Sequence, residues 1–440
     1  MKSKLAWVCL AAALTTLLCA QADPAPTITL QDALARARKF GGQIQGANLN
    51  VLQAKEDTVQ ARADRLPSVS AFNQFIYTQG NGTPTGLFVA ANGVHVYEEQ
   101  AVVHEELLSA VRQGEVRRAQ AAEAIARAKA EVTSRGLNAT VIQDYYAIVA
   151  AQRRVVNVQT SVGEAEHFLD ITRKQEKGGE AAHSDVIKAD IDLRQRQREV
   201  IDAQLAVQKA KIALGVLIFP DFSAGYNVVD DLQQPPALPA AEEARAHAGV
   251  SNPDLQAAEA SLKEAGLEIV VAKYQYLPSL GLDFFYGLDS NQFAAHTTIP
   301  GEPGQPAFQQ RNLGYSAQAT LNIPIWNWGL TRSKVKQAEL RRDQANLDLS
   351  LARRTLQSNV AAGHAEAQTA QSQLESLRTS LDLAKANLRL TLLRYQAGES
   401  TAFEVVDAQN TLIQARNAAD DGLTRYRIAV ANLQILMGTF

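Results

Sequence analysis

Apolar residues along this chain follow two periods. Through Val155, Val158, Val162, Ala165, Leu169, Thr172 and Glu176 the spacing alternates between three and four residues. The same spacing runs through Leu374, Leu377, Leu381, Ala384, Leu388, Thr391 and Tyr395. That is a heptad seam written twice, and it predicts helices lying side by side as coiled coils. Between the helical stretches the period drops to two. Leu280, Leu282, Phe284, Tyr286 and Leu288 alternate with Ser279, Gly281, Asp283, Phe285 and Gly287. Leu313, Tyr315, Ala317, Ala319, Leu321 and Ile323 alternate with Gly314, Ser316, Gln318, Thr320 and Asn322. Strands with one apolar and one largely polar face follow from that alternation.

The elements recur in order. Leu66-Pro67-Ser68-Val69 returns as Leu277-Pro278-Ser279-Leu280, and Gln43-Ile44-Gln45-Gly46-Ala47 as Asp254-Leu255-Gln256-Ala257-Ala258. Gly179-Glu180, followed by Val186 and Ala189, returns as Gly398-Glu399, Val405 and Ala408. Each half reads as helix, strand, loop, strand, very long helix, tight turn, helix. The halves differ mainly in a loop rich in Gly, Asn, Thr and Pro, which spans 79–93 in the first and a longer 290–312 in the second. Very long helices are expected over 109–175 and 329–395, each roughly 100 Å at about 1.5 Å per residue. Shorter ones are expected over 32–65, 181–217, 243–276 and 400–437. Two shorter helices stacked end to end match one long helix, so a long cylinder of helices is the natural assembly.

The first residues read as an export signal rather than as part of the fold. Lys2 and Lys4 precede an apolar run from Leu5 to Leu18, and Ala20-Gln21-Ala22 has the small-x-small cleavage pattern. Cys9 and Cys19 both lie in that segment, so disulfides, thiol catalysis and cysteine metal sites are not expected in the mature chain. The bulky Leu18 before Cys19 counts against lipid attachment there. The expected organisation is a signal peptide over 1–22 and a first repeat over 23–219, with strands at about 68–78 and 94–104. A linker over 220–240, carrying Pro220, Pro235, Pro236 and Pro239, leads to a second repeat over 241–440 with strands at about 279–289 and 313–323.

Composition narrows the function. Lys plus Arg total 43 and Asp plus Glu 46, which gives no reason to expect a nucleic-acid partner. No stretch beyond the signal offers the roughly 20 apolar residues of a membrane helix. Yet over half of the aromatic residues fall in 66–104 and 274–328, with Trp326 and Trp328 at a strand end. Aromatic residues bordering alternating strands are the mark of outer-membrane strands. Glu98 and Glu99 are adjacent in the first half, so one of them must face outward. Four strands cannot close a barrel and an open edge cannot sit in lipid, so the chain is expected to oligomerise. A trimer would supply twelve strands, an even number suited to a closed barrel.

With these features the chain resembles the outer membrane efflux protein family, the TolC-type channels. The resemblance covers essentially the whole mature chain. It rests on the duplicated plan, the two Leu-Pro-Ser strand starts, Asn252-Pro253-Asp254-Leu255, and Arg394-Tyr395-Gln396-Ala397-Gly398-Glu399 running into Val405-Val406-Asp407-Ala408. It implies a mainly α fold with a small membrane β part: a homotrimer whose twelve-stranded barrel continues into a coiled-coil α-helical barrel. It also implies a passive exit duct in the outer membrane, most of it in the periplasm. Its implied partners are outer-membrane lipid, a periplasmic adaptor (membrane fusion) protein, and an inner-membrane pump of the resistance-nodulation-division or ABC type. No enzymatic step and no cofactor belong to that reading, and the cargo would be drugs, toxic compounds or metal ions.

Aligned on Ala397-Gly398, the resemblance places the family's acidic periplasmic gate on Glu404 and Asp407. They are three apart on one helix, hence on one face, and a trimer would present six carboxylates. A solvated helix face explains the same two residues. Ser400 stands where relatives carry a basic residue, which counts against an Arg–Tyr latch. In the first half the equivalents are Asp185 and Lys188, a balanced pair. The turns Lys177-Gly178-Gly179 and Ala397-Gly398 are expected to reverse the chain, and the resemblance makes them adaptor-docking tips. The seven histidines show no metal-site spacing, and His95 and His104 are candidates to face the lumen. A periplasmic adaptor and a purely structural coiled coil are the alternatives. Two full repeats count against the first, and alternating aromatic strands against the second.

Overall fold

The computed structural model describes residues 26–77, 95–222, 225–234, 236–299, 301 and 303–439. The expected signal segment, both cysteines and the loop 79–93 lie outside the described residues. In chain order the elements are β1 (Thr27–Ile28), α1 (Leu30–Phe40), α2 (Gly42–Ala63), β2 (Ser68–Tyr77), β3 (His95–Leu108), α3 (Ala110–Gly178) and α4 (His183–Ile218). They continue as β4 (Asn227–Val228), α5 (Ala241–Ser251), α6 (Pro253–Tyr274), β5 (Ser279–Ser290), β6 (His296–Ile299), β7 (Phe308–Arg311), β8 (Leu313–Asn322), α7 (Leu330–Gln396) and α8 (Ala402–Met437).

Two of the expected helices break. The stretch 32–65 divides at Gly41, whose backbone is extended (ψ 117°); a Cβ there would sit 2.6 Å from the Ala37 carbonyl oxygen and 3.0 Å from the Leu137 side chain. The stretch 243–276 divides at Asn252, because the residue before a proline is driven out of the helical region; Asn252 has φ −75° and ψ 124°. The second-half loop is not wholly irregular either. Within it β6 pairs antiparallel with β7, from His296 opposite Arg311 to Ile299 opposite Phe308.

The chain forms two compact units. One comprises the described residues up to Gly46, Glu131–Asn252 and those from Arg354 onward; the other comprises Ala47–Ala130 and Pro253–Arg353. In the first, α1 is opened by a capping box between Thr29 and Asp32. Its buried face (Ala33, Leu34, Ala37) joins Val141, Ile142, Tyr145 and Val149 of α3, Leu214 and Ile218 of α4, and Tyr226, Val228 and Leu232 of the segment after α4. Two-residue β1 and β4 pair in parallel beside it. Tyr145 closes this junction: its hydroxyl donates to the Val229 carbonyl at 2.8 Å and accepts from the Val229 amide at 3.1 Å. Burial pushes the Tyr145 phenol up to about 12.

The residues of both predicted seams are buried or half-buried, so the heptad spacing marks the contact faces of α3 and α7. Antiparallel α8 meets α3 through polar groups at mid-length. Arg416 grips both oxygens of Glu164 at 2.7 and 3.2 Å, and Asp420 accepts from Arg153 and Asn157, each at 2.8 Å. Arg153 and Arg427 also hold Asp230 and Asp231, which fastens the segment after α4 to the helices.

The second unit carries a four-stranded antiparallel sheet in the order β2-β3-β5-β8, with β2 and β8 as its edges. Register sorts its side chains onto two faces. Tyr286 lies between Ala101 and Tyr315, and Phe284 between Val103 and Ala317, so the odd-numbered residues of β2, the even-numbered ones of β5 and the odd-numbered ones of β8 share an apolar face. Glu99, opposite Asn73 and Leu288, is the one of the two adjacent glutamates on that face; Glu98, opposite Gln74 and Asp289, lies on the other. His104 also lies on the polar face, its Nδ1 2.6 Å from Asp283 Oδ1, whereas His95 is on the apolar face beside the Tyr77 ring.

Candidate functional site: the helical tips

The first unit ends in two helix–turn–helix tips built the same way. At the first, the Gly179 amide donates to the Glu176 carbonyl and the Glu180 amide to the Gln175 carbonyl. At the second, the Gly398 amide donates to Tyr395 and the Glu399 amide to Arg394, with N···O distances of 2.8–3.0 Å throughout. These are paired Schellman closures, which require a left-handed residue after the helix. Gly179 (φ 82°) and Gly398 (φ 77°) supply it. The sequence reading of both turns therefore has a complete structural explanation.

A small core holds the two tips together. Phe168 and Leu169 of α3 and Val186 and Ala189 of α4 pack with Tyr395 of α7 and Ala402, Val405 and Val406 of α8. Phe168 and Tyr395 meet edge to face, 5.2 Å between ring centres, and burial raises the Tyr395 phenol. Gln175 reaches across to the Gln396 carbonyl at 3.4 Å. Further in, buried Arg196 of α4 pairs with Asp192 at 3.3 Å and donates to Asn410 of α8. Lys188 lies over the Phe403 ring, 5.8 Å from its centre.

The two predicted gate carboxylates have different surroundings. Glu404 is the third residue of α8, and its amide donates to the Thr401 hydroxyl at 3.3 Å. Ser400 donates to its carboxylate at 2.7 Å, and Arg394 stands 3.9 Å away. The Ser400 hydrogen bond, then the Arg394 charge, hold the Glu404 carboxyl below its usual range. Thr401 thus caps the helix, and Glu404 lies in its first turn, where a negative charge suits the helix dipole. Asp407, one turn on, is exposed. Ser400, read from the sequence only as a departure, turns out to be the donor that orients Glu404. At the other tip, His183 Nδ1 lies 2.6 Å from Glu176 Oε1, a contact the seven-residue spacing did not advertise. Among the described residues no group of three His, Cys, Asp or Glu side chains could hold a metal ion.

Long helices with such tips, and a four-stranded sheet, are shared with a known class of structures. The fold agrees with solved channels. The Campylobacter jejuni CmeC outer membrane channel superposes with a TM-score of 0.77 at 16% identity, covering 93% of this chain and 85% of that one. The Neisseria gonorrhoeae MtrE outer membrane channel, in its open state, gives 0.74 at 21% identity, covering 93% and 88%. In sequence, residues 245–439 match the model of the Outer membrane efflux protein family. The probable efflux pump outer membrane protein TtgC of Pseudomonas putida is 26% identical over 422 residues, which is 90% of this chain and 79% of that protein. Outer membrane protein TolC of Vibrio cholerae is 26% identical over 312 residues, 70% of this chain and 68% of that one. Similarity to outer membrane efflux proteins thus runs over most of the chain.

Proposed function

We propose that this chain is the outer-membrane exit duct of a tripartite efflux system. It assembles as a homotrimer with a twelve-stranded barrel continuing into a helical tunnel. The observation that carries this reading is the sheet, with one apolar face and two edge strands, β2 and β8, that have no partner in their own chain among the described residues. Such a sheet is stable in lipid only when its edges meet those of other copies. The helices point the same way: Ile187, Ile191, Ile201, Leu205 and Ile212 of α4 are exposed at heptad-compatible spacing, a second seam in search of a neighbour.

In this reading the polar face of the sheet lines the lumen and the apolar face meets lipid. Glu404 and Asp407 ring the periplasmic opening. The tips at Lys177, Gly178, Gly179, Ala397 and Gly398 dock a periplasmic adaptor, which links the duct to an inner-membrane pump of the resistance-nodulation-division or ABC type. Docking opens the ring, and the pump supplies the energy. The duct itself catalyses nothing and needs no cofactor. Because the Pseudomonas putida relatives ArpC and TtgC carry the names of antibiotic and toluene efflux pump proteins, small toxic compounds are the proposed cargo. The test is to isolate outer and inner membranes on a density gradient and weigh the detergent-purified protein by native mass spectrometry. A trimer from the outer-membrane fraction supports the reading; a soluble or monomeric chain overturns it.

A further inference from the structure

The face of the sheet that opposes the apolar one is polar only in part. Two neighbouring rows break the pattern. In one, Val102 of β3 lies between Ser70 of β2 and Phe285 of β5; in the next, Phe72 of β2 lies opposite Gln100, and Gly287 of β5 opposite Gly314 of β8. The rows on either side are charged. Asp283 stands beside His104 in one, and Glu98 lies opposite Asp289 in the other. Phe72, Val102 and Phe285 therefore make an apolar stripe across two rows, with bare backbone beside it at Gly287 and Gly314 and carboxylates beyond.

Packing within the chain explains little of this. On the apolar face Phe75 and Phe284 pair with Tyr97 and Tyr315. Phe72 and Phe285 have no such ring partner among the described residues, and Phe72 is 43% exposed. Of the two glycines, Gly287 is dictated by its neighbour, since a Cβ would run into the Glu99 carbonyl. Gly314 is not: a Cβ there meets nothing within 4 Å, and its φ lies outside the left-handed region. A glycine inside a strand weakens the sheet. Where neither crowding nor φ asks for it, it marks the close approach of something else.

Dimensions and charge indicate what. Phe72 and Phe285 are two strands and one row apart, about 12 Å at about 4.8 Å between strands and about 3.4 Å per residue, with Val102 between them. That is the span of a flat polycyclic molecule. Glu98 directly opposite Asp289 is a like-charge placement that a bound cation relieves, and an exposed Phe ring itself attracts cations over its face. An apolar stripe bordered by carboxylates complements an aromatic cation better than a neutral or anionic solute. We infer that Phe72, Val102 and Phe285, with the bare backbone at Gly314 and the carboxylates of Glu98 and Asp289, form a shallow seat that flat aromatic cations occupy on their way through the duct. This inference rests on the reading of that face as pore-lining, and it gives the proposed cargo a chemical class.

Both cysteines, Cys9 and Cys19, lie in the expected signal segment, so one introduced thiol reports on the face. Ser316, opposite Phe285 on β8, is replaced nearly isosterically by Ser316→Cys, and the purified full chain is reconstituted into phosphatidylcholine vesicles. Labelling by a polar, membrane-impermeant methanethiosulfonate is timed with and without ethidium, the parent chain supplying the background. Ethidium at several times its half-protection level should slow labelling about fivefold. Phenanthridine, flat but uncharged at neutral pH, and tetraethylammonium, charged but without a ring, should protect clearly less. With Phe72→Ser and Phe285→Ser added, the ethidium concentration that halves the rate should rise about tenfold. Phe72→Leu with Phe285→Leu, which keeps the bulk and removes the rings, should shift it the same way and stands in if the serine pair does not assemble. Labelling that ethidium does not slow refutes the seat and leaves the pore-lining reading intact. Protection that survives loss of both rings refutes the seat too, and equal protection by phenanthridine or tetraethylammonium refutes the aromatic-cation class. If the introduced thiol never reacts, the face is not open to water, the pore-lining reading fails and the seat falls with it.

Discussion

Replacing Phe168 by alanine should loosen both tips at once. Phe168 belongs to α3, is 1% exposed, and touches Tyr395 of α7 as well as the start of α8. A buried Phe→Ala change costs about 3–5 kcal/mol when the surroundings close only partly over the gap. Of that, about 0.5–1.5 kcal/mol belongs to the lost edge-to-face contact. Since each 1.4 kcal/mol is about tenfold, local opening of the tips should rise by about 100-fold or more. Amide hydrogen exchange read by mass spectrometry over peptides covering 165–190 and 390–408 measures this, because exchange follows the local opening free energy. Lys174→Ala, whose parent side chain is 74% exposed, serves as the control and should stay within about 0.5 kcal/mol. The essential point is that protection must fall in both hairpins although the substitution is in one. If the second hairpin responds no more than it does to Lys174→Ala, the shared tip core does not couple the hairpins and the reasoning is wrong.

Other outcomes follow from the same geometry. Gly179→Ala or Gly398→Ala should each destabilise its turn by about 1–2 kcal/mol, since both hold a left-handed backbone; faster tip proteolysis is the readout, with Asn substitutions milder. Gly287→Val should prevent assembly, because a Cβ there would lie 2.0 Å from the Glu99 carbonyl oxygen on the neighbouring strand; loss of the oligomer band on unheated gels checks it. Tyr145→Phe should cost about 1–3 kcal/mol in thermal melting, as the Val229 carbonyl loses the donating hydroxyl and the Val229 amide keeps only the Ile28 carbonyl, at 3.3 Å. The lowered Glu404 carboxyl makes tip stability fall in acid: its contribution is complete above the ordinary glutamate range and is lost as pH drops through the lower folded value. Glu404→Gln should flatten that part of the pH profile of tip exchange.

How legible the molecule was depended on whether the signal was periodic or local. Seams at Val155–Glu176 and Leu374–Tyr395 could be read because coiled-coil contacts repeat every seven residues, and the structure buries or half-buries every one of those positions. Strand alternation in β5 and β8 was visible because one face of the sheet is apolar and the other largely polar. The break at Gly41 was overridden in the reading by the continuing helical pattern, although the Gly41-Gly42 pair is a turn signal. The break at Asn252 had a signal in Pro253, overridden in the reading by the continuing helical pattern. Pairing of β6 with β7 was masked by loop-like composition, which describes a hairpin as well as a coil. Sequence could say that Glu98 or Glu99 faces outward but not which, because register decides that. Glu404 was read from a family alignment as a gate group, while its spacing from Thr401 already spelled a helix cap.

The most direct test of the duct itself is ion conductance of the purified protein in planar bilayers, comparing wild type with Glu404→Ala plus Asp407→Ala. A duct closed by an acidic ring should conduct weakly, prefer cations and be blocked by divalent ions, and the double variant should lose that block. A folded protein that inserts yet passes no current, in either form, would contradict the account.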